Sequence, residues 1–523
     1  MNKKRLPKST YPNRYEIELD VDLDNFSYTG AQKVDLNVVE ATNNIVLNSV
    51  GIEVTKAKIQ TTKQDIPLEV NYIEEDEKIV FESQETLSEG VYELYLEFNS
   101  EITNDLKGFY KSSYMSEDGE KKWIATTQFE PTAARSAFPC WDEPEYKAIF
   151  SMTIITDEKY LRVSNEMVVE EEKVENNKLR TKFADSMKMS SYLVAFVIGD
   201  LEATVVGKSK TTDIRIIHRP GFSHQTSYAG TAAIKLLDFF EDYYKIPYPG
   251  TKLDLIAIPD FAMGAMENVG AVTFRENLLL FDKDKATRSE LDRSITVIAH
   301  ELAHMWFGDL VTMKWWDGIW LNEAFASLME VIASYNTYPE FKQWNAMNMS
   351  RTAGFSIDSL ENSRPVEFDV ETPDQAEEMF DVLTYEKGST VLRMFQMFIG
   401  EEAFQNGVEA YLNKFKFENT NSSDLWDALS EASNQPLNKM LPFWIREKGY
   451  PFLQVDCSNN FLTIKQKPFL LKNVETDKNN IKPVPVQIKF LDTGNEEKFL
   501  LDEAERVIDL KNLGEVPHIN LSL

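Results

Sequence analysis

The segment His300-Glu301-Leu302-Ala303-His304 sets two imidazoles four residues apart and a carboxylate beside the first. On a helix, side chains at that spacing share a face, with their Cβ atoms about 5–6 Å apart. Two rings so placed can converge on one zinc ion at Zn–N distances of about 2.0–2.1 Å. Glu301, one residue on, can reach a water held at the metal. The chain has only five histidines, so finding two of them in this pattern is informative. A hydrolytic zinc site usually has three protein ligands and a water. In the segment Trp320–Ala326, Glu323 lies between apolar neighbours, where an unpaired carboxylate would be costly and a metal would remove the cost. Taken alone, that stretch fits a surface glutamate at a helix start equally well.

These residues need elements to hold them. Thr287-Arg288-Ser289-Glu290 is a capping-box sequence, which predicts a helix over 291–307 carrying both histidines. Further helices are expected at 226–244, 323–334 and 384–399, and a short apolar strand at 253–258. Upstream the period changes to two. Tyr15, Ile17, Leu19, Val21 and Leu23 alternate with Glu16, Glu18, Asp20 and Asp22, and 91–98 repeats the pattern. After Gly449-Tyr450-Pro451 alternation returns at 453–456, 462–465 and 486–490. The expected organisation is multidomain α+β: an N-terminal all-β domain over 1–203, a mainly helical catalytic domain over 204–448, and a small C-terminal β-sandwich over 449–523.

Composition narrows the class. In 523 residues, 85 are acidic and 55 basic, a formal net charge of −30. Such a surface repels nucleic acid and anionic membranes, so neither is expected as a partner. Cys140 and Cys457 are too few for a disulfide framework or a thiolate metal site, which fits a reducing compartment. The basic and then polar stretch Met1–Tyr15 has no apolar core of a signal peptide, and no run approaches the roughly 18 apolar residues of a membrane span. A cytoplasmic location is expected. His218, His224 and His518 fall in no motif and are expected to play no part in the site.

His-Glu-x-x-His followed after eighteen residues by Glu resembles the zinc signature of the M1 family, the aminopeptidase N-like gluzincins. Gly264-Ala265-Met266-Glu267-Asn268 is similar to the family's G-A-M-E-N motif, and Tyr385-Glu386-Lys387-Gly388 to its Tyr-x-Lys-Gly motif. Gln128-Phe129-Glu130, with Ala134-Arg135 and Phe138–Pro144, resembles a block of its N-terminal domain. The resemblance covers essentially the whole chain and implies a thermolysin-like catalytic domain and an aminopeptidase. It makes His300, His304 and Glu323 the ligands of one zinc ion per chain, Glu301 the general base and Tyr385 the donor to the oxyanion. It assigns Glu267 and Glu130 to the substrate's α-ammonium, with Gln128 nearby. The backbone of Gly264 and Ala265 would align the substrate, Met263 would line the first pocket, and Met266 and Asn268 would complete the substrate-binding segment. Without the motif, Tyr385 reads as core packing and Glu130 as a loop carboxylate. The partners implied are peptides with a free N-terminus. Many members carry a further helical C-terminal domain over the active site; this sequence runs only through the β module. An open prime side and a tendency to self-associate are therefore expected, as a short form of the family would show. Ala324 stands where Gly or Ser is common, and Val269 where an aromatic residue or Pro is common.

Overall fold

A computed structural model describes residues 5–61, 64–469, 471 and 481–511, together with the backbone of 517–521. His518's side chain and residues Met1–Lys4 of the N-terminal stretch lie outside the described residues. The period-two pattern becomes a ten-stranded sheet. Its strand Thr10–Asp22 pairs antiparallel with Ser27–Val38 and parallel with Ile149–Asp157. Tyr15, Ile17, Leu19 and Val21 are buried while the acidic residues between them reach solvent. One edge of this sheet is the strand Val168–Val174. A four-stranded sheet follows, ordered Leu161–Ser164, Phe196–Gly199, Lys121–Gln128 and Gly108–Met115. Its strand Lys121–Gln128 delivers Gln128 and Glu130 to one end of the domain.

The region from about 205 does not begin helically. A five-stranded sheet runs Glu202–Ser209, Thr212–His218, Lys252–Ile258, Ala271–Arg275 and Ala265–Met266. Of these, Lys252–Ile258 is buried at every position, which is why 253–258 reads as a mainly apolar strand, broken only by Asp254, whose charge Arg215 and Lys252 meet. The others are too short, or too mixed in period, to stand out. Helices then dominate: α1 (Ser227–Tyr244), α2 (Arg288–His304), α3 (Trp320–Thr337), α4 (Gln343–Asp358), α5 (Pro373–Glu378) and α6 (Gly388–Ile399). The capping box is present at α2: Glu290 N–H donates to Thr287 Oγ1 at 3.3 Å, and Thr287 N–H to Glu290 Oε2 at 2.7 Å. Helix α3 is buried nearly all round, so a polar residue on it must find a partner inside. The close pairing of α3 with α6 explains the small residue at 324. A Cβ on Gly388 would stand 2.5 Å from Ala324 Cβ.

The C-terminal module is two three-stranded sheets, Tyr450–Ser458, Phe461–Phe469 and Glu505–Asp509, and Glu496–Leu501, Val484–Phe490 and Pro517–Leu521. Leu462 and Ile464 of the first sheet and Val484, Val486, Ile488 and Leu501 of the second are buried. No helix among the described residues is long and apolar enough to cross a membrane. Both cysteines are unpaired.

Candidate active site

Helices α2 and α3 bring His300, His304 and Glu323 together. One donor atom from each lies within 4.8 Å of the others. His300 Nε2 is 3.2 Å and His304 Nε2 3.4 Å from Glu323 Oε2. The opposite ring nitrogens are already engaged: His300 Nδ1 contacts Glu330 Oε2 at 2.8 Å, and His304 Nδ1 the carbonyl of Phe307 at 2.9 Å. A proton on each Nδ1 satisfies those acceptors and turns both Nε2 lone pairs toward a carboxylate oxygen. That arrangement is repulsive unless protons or a metal cation stand between them. Two outward-anchored imidazoles and a carboxylate form a zinc-type donor set, and the Glu330 and Phe307 contacts fix the ring orientations as outer partners of metal ligands do.

The electrostatics point the same way. Burial opposes a proton on either imidazole, but the surrounding carboxylates outweigh it, raising His304 to about 10 and His300 well above its ordinary value. Burial likewise favours a neutral Glu323, yet the two imidazoles hold it down to about 2. The site is thus an acidic pocket that demands positive charge.

Glu301, on the same turn of α2, is buried, and burial pushes its carboxyl up to about 8 against the pull of the two histidines. Tyr385 lies in a π-helical turn, Leu383–Lys387, just before α6. Such a turn is uncommon outside functional sites. It is pinned at both ends. Asp381 Oδ1 accepts from the N–H groups of Leu383 at 2.8 Å and Thr384 at 3.2 Å, and Lys387 Nζ pairs with buried Asp358 at 2.9 Å. The Tyr385 ring stacks beside His300 with centroids 6.0 Å apart. Burial, then Glu323, Glu130 and Glu267, raise its phenol well above the ordinary value, so it stays a donor.

Glu130 comes from the N-terminal domain and Glu267 from the loop after Lys252–Ile258, and with Glu323 they form a second group of carboxylate oxygens within 4.8 Å. Both are buried, and Oε1 of each has no hydrogen-bond donor. Burial raises both carboxyls; at Glu130, Glu267 and Glu323 add to the rise. Contacts between the domains place them. Tyr110 Oη donates to the carbonyl of Asp260 at 3.0 Å, Ser113 N–H to Asp260 Oδ2 at 2.9 Å, and Asn165 Nδ2 to the carbonyl of Val269 at 2.9 Å. Gly270 ends this loop at φ +71°, where any Cβ would stand 2.0 Å from the Asn165 carbonyl oxygen. The Cys140 block is built around buried Asp142, which accepts from Arg135 Nε at 2.9 Å and Ser191 Oγ at 2.7 Å.

His300, Glu301, His304, Glu323, Tyr385, Glu130 and Glu267 line one cleft of about 320 Å³ that includes Gln128, Met263, Gly264, Ala265 and Met266. Gln128 Nε2 donates to Met266 Sδ at 3.4 Å. Asn268 is not among the lining residues; it is buried, and its amide donates to Thr273 Oγ1 at 3.3 Å.

A sequence model described as the peptidase family M1 domain matches residues 228–444, and one described as the peptidase M1 N-terminal domain matches residues 11–193. The chain belongs to peptidase family M1. Among curated relatives, aminopeptidase M1 of Arabidopsis thaliana is 40% identical over 517 residues, covering 97% of this chain and 58% of its own length. The puromycin-sensitive aminopeptidase of Caenorhabditis elegans is 37% identical over 519 residues, covering 97% and 55%. Endoplasmic reticulum aminopeptidase 1 of Rattus norvegicus is 34% identical over 501 residues, covering 90% and 54%. The M1 chain described here thus spans a little over half the length of these relatives.

Several residues of this M1 site escaped the sequence reading. Glu330 follows Glu323 by seven residues, two turns along the same face of α3, and a second acid on an otherwise apolar helix was the available signal. Tyr192 and Lys147 carried no such signal. Tyr192 Oη donates to the Gly308 carbonyl at 3.1 Å, and Lys147 Nζ to those of Asp309 at 3.0 Å and Leu310 at 3.2 Å. Both tie the N-terminal domain to the loop leaving α2.

Proposed function

We propose that this chain is a zinc-dependent aminopeptidase that hydrolyses the N-terminal peptide bond of peptides. The reading is carried by Glu130 and Glu267, two buried carboxylates with unpartnered oxygens beside the His300–His304–Glu323 group. An endopeptidase has no use for two such charges there. A substrate α-ammonium would satisfy both with charge-assisted hydrogen bonds, and their position fixes the scissile bond one residue from the chain end. His300, His304 and Glu323 would hold one zinc ion, which when bound supplies Lewis-acid activation of water and of the scissile carbonyl.

The chain's own groups do the rest. Glu301 accepts the proton of the attacking water and passes it to the leaving amine. Tyr385 donates to the oxygen that gains negative charge as the carbonyl becomes tetrahedral, a contribution of roughly 3–4 kcal/mol in comparable sites. The Gly264–Ala265 backbone stands at the edge of the five-stranded sheet, where an extended substrate can add by main-chain pairing. Met263, 45% exposed at the mouth, offers an apolar wall to the first side chain. The relatives named as aminopeptidases support the same activity, and the two unpaired cysteines fit a cytoplasmic setting.

The test compares a peptide with its N-acetylated form, with and without a chelator. Cleavage of the free peptide alone, lost with the metal and restored by Zn²⁺, is expected. Equal cleavage of both peptides would refute the exopeptidase reading.

A further inference from the structure

Away from the catalytic cleft, a second cavity of about 550 Å³ opens where the N-terminal domain meets the five-stranded sheet. One wall comes from Leu161–Ser164 and the edge strand Val168–Val174, the other from Glu202–Ser209 and Thr212–His218. Its charged lining is balanced: Arg162, Arg215 and Lys252 against Glu166, Glu171 and Asp213. Two of the cations are fully engaged. Arg215 forks onto Asp254 at 2.7 and 2.6 Å, and Lys252 Nζ meets Asp254 at 2.8 Å and the carbonyls of Ser164 and Gly270 at 2.8 and 2.6 Å.

Arg162 is different. Its side chain is 8% exposed, yet its Nε has no acceptor. Its Nη1 reaches only the Asp157 carbonyl at 3.3 Å, and Glu171 lies 3.8 Å from Nη2. The Nε–H is closed off from solvent, so a ligand would meet the terminal nitrogens, which hold only those two long contacts and whose planar geometry matches a carboxylate. At the rim, Glu171 and Asp213 keep half their side-chain surface exposed, although Asp213 Oδ1 pairs with Lys208 at 2.9 Å and Glu171 Oε1 accepts from Thr181 Oγ1 at 3.2 Å. Met167, Val168 and Val205 add an apolar wall that is itself open to solvent.

We propose that this cavity binds a small zwitterion with an apolar side chain, the chemical class of a free amino acid. The ligand carboxylate seats on Arg162, its ammonium faces Glu171 and Asp213, and its side chain covers Met167, Val168 and Val205. An inorganic anion would leave the apolar wall uncovered and meet three acidic side chains. A free amino acid is also what the proposed reaction releases, so occupancy would follow product concentration. Only that last link rests on the proposed function; the binding does not.

The experiment uses the full chain carrying Glu267→Gln, which weakens the ammonium site of the catalytic cleft, and titrates L-leucine by calorimetry. A one-to-one isotherm is expected, weakened about tenfold or more when leucine amide or N-acetyl-leucine replaces leucine, since each lacks one charge-assisted partner. Arg162→Gln should weaken it comparably. Val205→Trp fills the cavity from an exposed position without touching buried packing, and should abolish it. Absence of binding at tens of millimolar leucine, an isotherm unchanged by Val205→Trp, or N-acetyl-leucine binding as well as leucine would each overturn the proposal. Peptide hydrolysis by the unsubstituted chain is scored separately, so failure of the aminopeptidase reading leaves this isotherm untouched.

Discussion

Replacing Glu267 by Gln separates function from stability with opposite signs. The substitution keeps the shape of the side chain and removes its charge. Facing oxygens of Glu130, Glu267 and Glu323 lie within 4.8 Å of one another. At that spacing and an effective dielectric of about 20, a fully charged pair repels by about 3.5 kcal/mol. Burial above all pushes the Glu267 carboxyl upward, so protonation already relieves part of this. The unfolding free energy of the variant should therefore rise, by at most about 3 kcal/mol. Catalysis should move the other way. Losing a charge-assisted hydrogen bond to the substrate ammonium costs about 1.5–3 kcal/mol, so kcat/KM on free-amine substrates should fall about 10–150-fold. The assay is leucyl p-nitroanilide hydrolysis alongside denaturant unfolding and zinc content, which should be unchanged. A kcat/KM within about threefold of the parent at full metal occupancy, or a less stable variant, would refute the reasoning.

Four further outcomes follow from the same geometry. Glu323→Ala removes one of three ligands and should leave the protein metal-poor after dialysis, whereas full, tight zinc occupancy in metal analysis would remove Glu323 from the site. Glu330→Gln should weaken zinc affinity about 10–100-fold by releasing His300, measured by competition with a chelator. Tyr385→Phe should lower kcat with little change in KM; a change confined to KM would contradict an oxyanion role. Burial lowers Lys147 to about 7, so between pH 7 and about 10 the unfolded chain holds a proton that the folded chain lacks. Stability of the parent should accordingly climb relative to Lys147→Met as pH rises from 7 to 9, by up to about 1.4 kcal/mol per unit in chemical denaturation, and a flat difference would exclude that assignment.

Much of the frame was legible because it is written in local periods. The alternation at 15–23 could only be a half-buried strand, and Thr287 with Glu290 could only open a helix, since both patterns describe contacts made within a few residues. In the sheet at 202–275 only the fully buried strand stood out, as an apolar stretch at 253–258, because its neighbours are short or mixed in period. The pattern around Tyr385 predicts ordinary helix from 384, where the structure has a π turn. Only the contacts of Asp381, Lys387 and Asp358 around it favour the wider π turn.

By itself the sequence determined that His300 and His304 share one helical face, with Glu301 one residue on, because a four-residue spacing on a capped helix leaves no other arrangement. It determined, too, which strands hide which side chains. The tertiary structure alone decided that Glu130 crosses from another domain to meet Glu267, that Glu330 stands behind His300, and that Arg162 lines a cavity with an unused N–H. Those distances depend on sheet register and on how helices pack across the core, and no period along the chain carries that information.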